Sequence, residues 1–217
     1  MKLFSLDSPV MKSLSFIGDL IILNVLFLVC CIPLVTIGAS ATALYTISMR
    51  MAAKDDRGIL KPFFRAFKEN IKKATVIWLT FLLIGAVLAL GITMIYLNQS
   101  AFSNLIKVLY GVVILVYLVG LSWVFPLQAK FENSVKNTIK NAFIIGISRI
   151  GKSIVIAILL LIPVLMAVFF TKIFILTGFV WILCGFSVIA VLQSLVINTV
   201  FSRYTVSSLE HENREDS

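Results

Sequence analysis

The sequence predicts an all-α, polytopic integral membrane bundle, and three observations carry that expectation. Apolar residues make up 60% of the 217 and charged residues only 13%, where soluble domains carry roughly 25% charge. Apolar runs of about 18 residues or more recur along the chain, each long enough to cross ~30 Å of hydrocarbon. The basic residues gather in alternate connections between those runs, the asymmetry expected of a multi-pass chain.

The first span falls at 16–33. It is expected to stay in the mature protein, because Asp7 and Pro9 interrupt the approach and make a poor secretory leader. No lipidation motif accompanies it. The next stretch, CIPLVTIGASATALYTISMR, reads as a turn and return. Pro33 breaks the first helix, and Gly38 can supply a turn conformation closed to other residues. Residues 37–53 then form a short second span, free of charge until Arg50. Small residues four apart, Gly38 with Thr42 and Ala39 with Ala43, let helix backbones approach closely in lipid. Sixteen residues rise only about 24 Å. Thr36, Ser40, Thr42 and Tyr45 make the helix polar, so it should be packed within the bundle or line a cavity.

Four further spans follow at 74–97, 105–127, 153–170 and 177–201, the first with Trp78 and Tyr96 near its ends and the third interrupted by Pro163. Basic residues set the topology. Segment 50–73 carries eight and segment 128–152 five, with Arg203 and Arg214 beyond the last span. Six spans place 17 basic residues inside and 2, Lys107 and Lys172, outside. Five spans, with 34–53 as a cytoplasmic stub, place 15 inside and 4 outside. The six-span count is better and five is the alternative. Both put the C-terminus in the cytoplasm, and six put the N-terminus there too. Residues 1–205 thus form one transmembrane domain, followed by a polar, disordered tail at 206–217.

Two connecting segments have their own pattern. In 61–73, Phe63, Phe64, Phe67 and Ile71 fall on one helical face, flanked by Lys61, Arg65, Lys68, Lys72 and Lys73. Such a basic amphipathic helix would lie on the inner surface against anionic lipid. It could instead dock a cytoplasmic partner through Phe63, Phe64, Arg65, Phe67, Lys68, Lys72 and Lys73. In 128–152, Val135, Ile139, Phe143 and Ile147 form a similar face. Pro33-Leu34 and Pro126-Leu127, followed by Ala66-Phe67 and Ala142-Phe143, hint at a weak internal duplication. Such repeats are common in transporters.

Asp19 is the one acidic residue inside a span. Intramembrane acids are costly and often functional. It could pair with Arg50 or Arg203, or take part in a proton or solute path. With Asn24, Thr36, Ser40, Thr42, Tyr45 and Asn198 it forms the candidate intramembrane polar site. Interhelical hydrogen bonding explains these residues equally well, and Gln193, Ser194 and Thr199 beside Asn198 with them. Trp78, Trp123 and Trp181 read as belt or packing residues. No catalytic constellation, phosphate-binding glycine loop or metal spacing is visible, so neither an enzyme nor a cofactor is expected. Adjacent Cys30 and Cys31 rarely pair, Cys184 lies in another span, and His211 stands alone in the tail. Topology explains the +9 charge, which argues against nucleic-acid binding.

The runs GDLIILNVLFLVCCIPLVTIGASATALY and FFRAFKENIKKATVIWL resemble the YesL family of bacterial membrane proteins. Asp19, Asn24, Pro33, Thr36, Gly38, Ala43, Tyr45, Phe67, Asn70 and the Lys72-Lys73 entry carry the likeness. The second half is similar only in hydropathy and at Asn141-Ala142-Phe143. The family has no established activity. Its members are often encoded beside sugar-type ABC uptake systems, two-component regulators and glycoside-degrading enzymes. The resemblance therefore implies an accessory role in carbohydrate uptake or sensing, with an ABC permease or a sensor kinase as partner. The alternative is a permease in its own right for a small polar solute. Reporter fusions test the topology: a cytoplasmic Met1 with an external Thr36 is expected for six spans, and an external Met1 overturns that arrangement.

Overall fold

The structure, a computed structural model, describes residues 9–55, 58–98 and 102–215. Every regular element among them is helical. In chain order these are α1 (Pro9–Cys31), α2 (Ile37–Ala52), α3 (Leu60–Leu97), α4 (Asn104–Lys130), α5 (Val135–Ser148), α6 (Ile150–Phe169), α7 (Thr171–Leu176), α8 (Gly178–Val180) and α9 (Phe186–Glu215). A 3₁₀ turn, Leu34–Thr36, leads into α2, and a π-helical turn, Trp181–Gly185, joins α8 to α9. The side chains of 206–217, expected as a polar tail, lie outside the described residues.

Among the described residues, five helical stretches are long and apolar enough to cross a membrane: Met11–Cys31, Leu60–Leu97, Asn104–Lys130, Ile150–Phe169 and Gly178–Ser202. They contain the expected spans 16–33, 74–97, 105–127, 153–170 and 177–201, in each case to within two residues. The return helix expected at 37–53 forms as Ile37–Ala52. At sixteen residues it falls short of the others, and a sixth crossing is not among them. Pro33 follows the end of α1, but Pro126 does not end its span as the sequence pattern implies. Pro126 and Pro163 both lie inside helices, each removing one N–H from the ladder without stopping it.

α2 is the centre of the bundle. Ten of its sixteen residues are buried, and it packs on α1, α3, α4 and α9. Small side chains make this possible. A Cβ added at Gly38 would press on the Ala74 carbonyl oxygen and come within 2.6 Å of Trp78 Cβ, so α2 and α3 touch backbone to backbone there. The preceding turn is fastened at the same place by Trp78 Nε1, which donates to the Leu34 carbonyl at 2.9 Å.

Two expectations about the connecting segments are corrected. Residues 61–73 are not a separate surface helix but the first part of the 38-residue α3. Between Pro62 in the first turn and Gly85 no helix breaker intervenes. The inward face is Phe63, Ala66, Ala74 and Ile77, with Phe67 packed against it, while Phe64 points outward. In 128–152, α5 buries Thr138, Ala142 and Gly146 and leaves Ile147 exposed. A Cβ at Gly146 would strike Val119, and one at Gly120 would lie 2.6 Å from the Phe143 ring. Glycines thus bring α5 onto α4, one residue away from the face that the large side chains mark.

The surface is the inverse of a soluble protein's. Leu83, Leu90, Leu109, Val168 and Leu176 are among many large apolar side chains left exposed. For helices of this length, lipid is the solvent that accepts them. Because Gly38 sits at van der Waals contact with backbone, Gly38→Ala is expected to cost about 1–3 kcal/mol through overpacking, read as a lower Tm in detergent. Gly18→Ala, where an added Cβ meets nothing within 4 Å, should leave Tm unchanged or raise it.

Candidate functional site

Backbone polar groups away from water must find partners inside the protein. The π-helical turn at Trp181–Gly185 spoils the regular i→i−4 ladder and exposes such groups. Asn24, fully buried in α1, supplies the partners. Its Nδ2 donates to the carbonyls of Trp181 (3.0 Å) and Ile182 (2.7 Å), and its Oδ1 accepts from the Ser187 backbone N–H at 3.0 Å. Ser187 Oγ in turn donates to the Leu20 carbonyl at 2.8 Å. As Leu20 and Asn24 ascend α1 their partners descend from Ser187 to Trp181, so α1 and α9 run antiparallel.

The other expected site residues are similarly engaged. Thr36 Oγ1 lies 2.7 Å from the carbonyls of Cys30 and Pro33. Ser40 Oγ donates to the Phe27 carbonyl at 2.9 Å and Thr42 Oγ1 to that of Gly38 at 2.9 Å. Tyr45 OH donates to Gln193 Oε1 at 2.6 Å, and Gln193 Nε2 donates to the Ile156 carbonyl at 2.9 Å, linking α2, α9 and α6. Asn198 Nδ2 donates to the Met49 carbonyl at 2.9 Å. Asp19 is partly buried and held by an interaction of its own. Arg50, one of its expected partners, pairs instead with Asp55 (Nε–Oδ2 3.3 Å). The seven residues do not surround one cavity; Asn24, Ser40, Tyr45 and Asn198 bond between helices, Thr36 bonds back to the end of α1, and Thr42 bonds within α2.

A second network escaped the sequence reading. Gln128 Nε2 donates to Asn70 Oδ1 at 2.8 Å, and Thr138 Oγ1 donates to Gln128 Oε1 at 3.0 Å, joining α3, α4 and α5. Trp123 is core rather than belt: fully buried, it donates through Nε1 to Ser153 Oγ at 2.8 Å, which donates to the Gly146 carbonyl at 2.7 Å. The available signal was the lone Gln128 and Trp123 beside Pro126, polar groups at the end of an otherwise apolar run. Among the described residues the buried hydroxyls of Ser48 and Ser194 have no hydrogen-bond partner, and no group of three or more His, Cys, Asp or Glu could hold a metal.

Open space lies elsewhere. A cleft of about 500 Å³ opens between α2, α4 and α9, with Thr46, Arg50, Asp55, Lys130, Asn198 and Ser202 as its polar lining. Only Asn198 among these belongs to the expected polar set. The expected docking set divides. Phe64, Arg65, Lys68, Lys72 and Lys73 are exposed, whereas Phe63 is buried and Phe67 mostly so. Lys73 Nζ donates to the Asn133 carbonyl at 3.1 Å. Leu60, Lys61, Phe64, Arg65 and Lys68 line one shallow outward groove with Glu69.

These features define an all-helical chain compatible with a multi-pass membrane protein. Residues 20–92 match the family described as protein of unknown function, DUF624, the stretch from α1 through most of α3 and the one that carries the family resemblance in the sequence. No curated protein and no solved structure matches the chain. The polar side chains within the bundle make two measurable demands. Asn24→Ala strands two carbonyls and one N–H, and a loss of about 1–3 kcal/mol is expected. Tyr45→Phe strands Gln193 Oε1 and should cost less. Thermal unfolding in detergent reads both, and variants as stable as the parent overturn the assignment of these side chains to helix fastening.

Proposed function

We propose that the chain is a non-enzymatic protein of the bacterial plasma membrane that docks onto a partner through the outward face of α3. The observation that carries this reading is the continuity of α3. Its six charged residues all lie in 61–73 and none in 74–97, and a charged side chain is costly in hydrocarbon. A helix without a break cannot cross the bilayer and then lie flat along its surface. The basic half therefore leaves the membrane in the direction of the span, and Leu60, Phe64, Lys61, Arg65 and Lys68 face outward from it. An apolar strip with flanking cations fits a protein surface bearing acidic side chains. The family resemblance supplies the class of partner: a carbohydrate ABC permease or a sensor kinase, to which this chain is accessory.

The same reading places both termini on the basic side. α1 antiparallel to α9 supports this, as does α2 running parallel to α9, with Tyr45 beside Gln193 and Met49 beside Asn198. α2 then returns the chain as a short sixth crossing. A second reading, a permease for a small polar solute, draws on the cleft beside Arg50 alone. Uptake by proteoliposomes that hold only this protein is its test.

A photo-crosslinking side chain in place of Phe64 tests docking in cells. Adducts with an ABC permease subunit or a histidine kinase are expected there and not from Leu83, which is 69% exposed on the apolar half of α3. Lipid adducts alone at position 64 overturn the proposal. Arg65→Glu with Lys68→Glu should abolish the protein adducts.

A further inference from the structure

We propose that the cleft between α2, α4 and α9 binds one phosphodiester anion, the headgroup phosphate of a membrane lipid. Depth is the first argument. The cleft is lined by Lys130, the last residue of the candidate span Asn104–Lys130, and by Ser202, which Arg203 follows as the first charged residue after Lys172. It therefore opens where the apolar helices end, at the level of headgroups. Charge is the second. Arg50 and Lys130 face a single acid, Asp55, among the described lining residues. Among those lining residues the balance is one positive charge, which one phosphodiester neutralises. Each cation stands in the last turn of its helix, where the carbonyl ends of the backbone dipoles favour it, so both are held at the rim without a ligand.

Donor geometry is the third argument. Asp55 engages Arg50 at Nε, and the guanidinium carries five N–H donors, so the pair does not exhaust it. Lys130 is exposed and adds a second cation from α4. Ser202 contributes a hydroxyl. Behind this polar rim lie Met49, Ala53, Ala129 and Phe201, an apolar wall suited to the glycerol and first methylenes of a lipid and unsuited to a free, fully hydrated anion. The cleft shares no lining residue with the groove on α3, so this inference stands or falls apart from the docking proposal.

The test uses the full-length chain purified in neutral detergent and native mass spectrometry. Phosphatidylglycerol, phosphatidylcholine and soluble glycerol 3-phosphate are titrated separately. One phosphatidylglycerol is expected to bind, about tenfold more weakly in Lys130→Gln. Lys140→Gln, exposed on α5 and outside the cleft lining, is expected to bind like the parent. Asp55→Asn should bind tighter, because it leaves both cations to the ligand, an effect that a purely structural role for Asp55 would not produce. Arg50→Gln should lose binding, and its unfolding temperature is measured alongside so that a misfolded variant is recognised. Glycerol 3-phosphate bound with the same dependence on Lys130 and Asp55, in place of lipid, retains the phosphate site and overturns the lipid as its source. Binding that ignores Lys130 and Asp55 in every titration overturns the site itself.

Discussion

The contact on which the rest of the bundle depends is the approach of α2 to α3 at Gly38. Absence of a side chain there lets the α2 backbone meet the Ala74 carbonyl. Trp78 closes over the join and takes the Leu34 carbonyl, which fixes the angle at which the chain turns out of α1. Once α2 is seated, its remaining faces are committed. Ser40 reaches α1, Tyr45 reaches α9, and the Met49 carbonyl receives Asn198. Lipid provides no hydrophobic force to drive one apolar helix onto another. Close backbone approach and internal hydrogen bonds must do it, and α2 concentrates both.

Polar residues inside the bundle follow from the same constraint. A π-helical turn in a lipid-exposed span would strand backbone groups. Here Asn24 takes both carbonyls and the N–H at once, so the irregular turn also fixes α1 beside the last span. Gln193 acts similarly, accepting from Tyr45 and donating to Ile156. Gln128 ties Asn70 to Thr138. Each amide side chain has both its ends bonded across helices. A polar group in that state is committed to structure, and a solute path would have to break it.

Length and apolarity made the long helices legible, because a run of twenty apolar residues has few other uses. The return helix at 37–52 was legible for a different reason: a proline, a glycine and small residues four apart announce a turn and a close-packed helix. What misled was amphipathicity. Phe63, Phe64, Phe67 and Ile71 look like a buried stripe by the rules of water, as do Val135, Ile139, Phe143 and Ile147. In this bundle Ala66, Ala74, Thr138, Ala142 and Gly146 mark the interfaces, while Phe64 and Ile147 face outward. Phe63 is buried and Phe67, Val135, Ile139 and Phe143 pack against the core, so large apolar side chains stand on both sides, and small and polar residues mark the contacts more sharply when the solvent is lipid. Of the polar candidates Asn24, Ser40, Thr42 and Tyr45 are buried and Asp19, Thr36 and Asn198 are partly so, but one sequence cannot tell a hydrogen bond to a distant carbonyl from a wall of a cavity. Asn24 and Trp181 are 157 residues apart.

Where the polar groups are satisfied bears directly on where function can reside. The middle of the bundle holds Asn24, Ser40, Tyr45, Gln193 and Trp123, all engaged with other helices. Apart from the buried hydroxyls of Ser48 and Ser194, the groups open to a ligand are at the basic end: Lys130 and the remaining donors of Arg50 beside one cleft, and the exposed cations of α3 around Phe64. Both lie where the apolar stretches finish, within reach of headgroups and of whatever stands at the membrane face. The proposed docking face and the proposed lipid site both lie on that rim. The protein's sealed interior then serves to hold two basic surfaces, one on α3 and one between α2, α4 and α9, in a constant relation across the short helix they share.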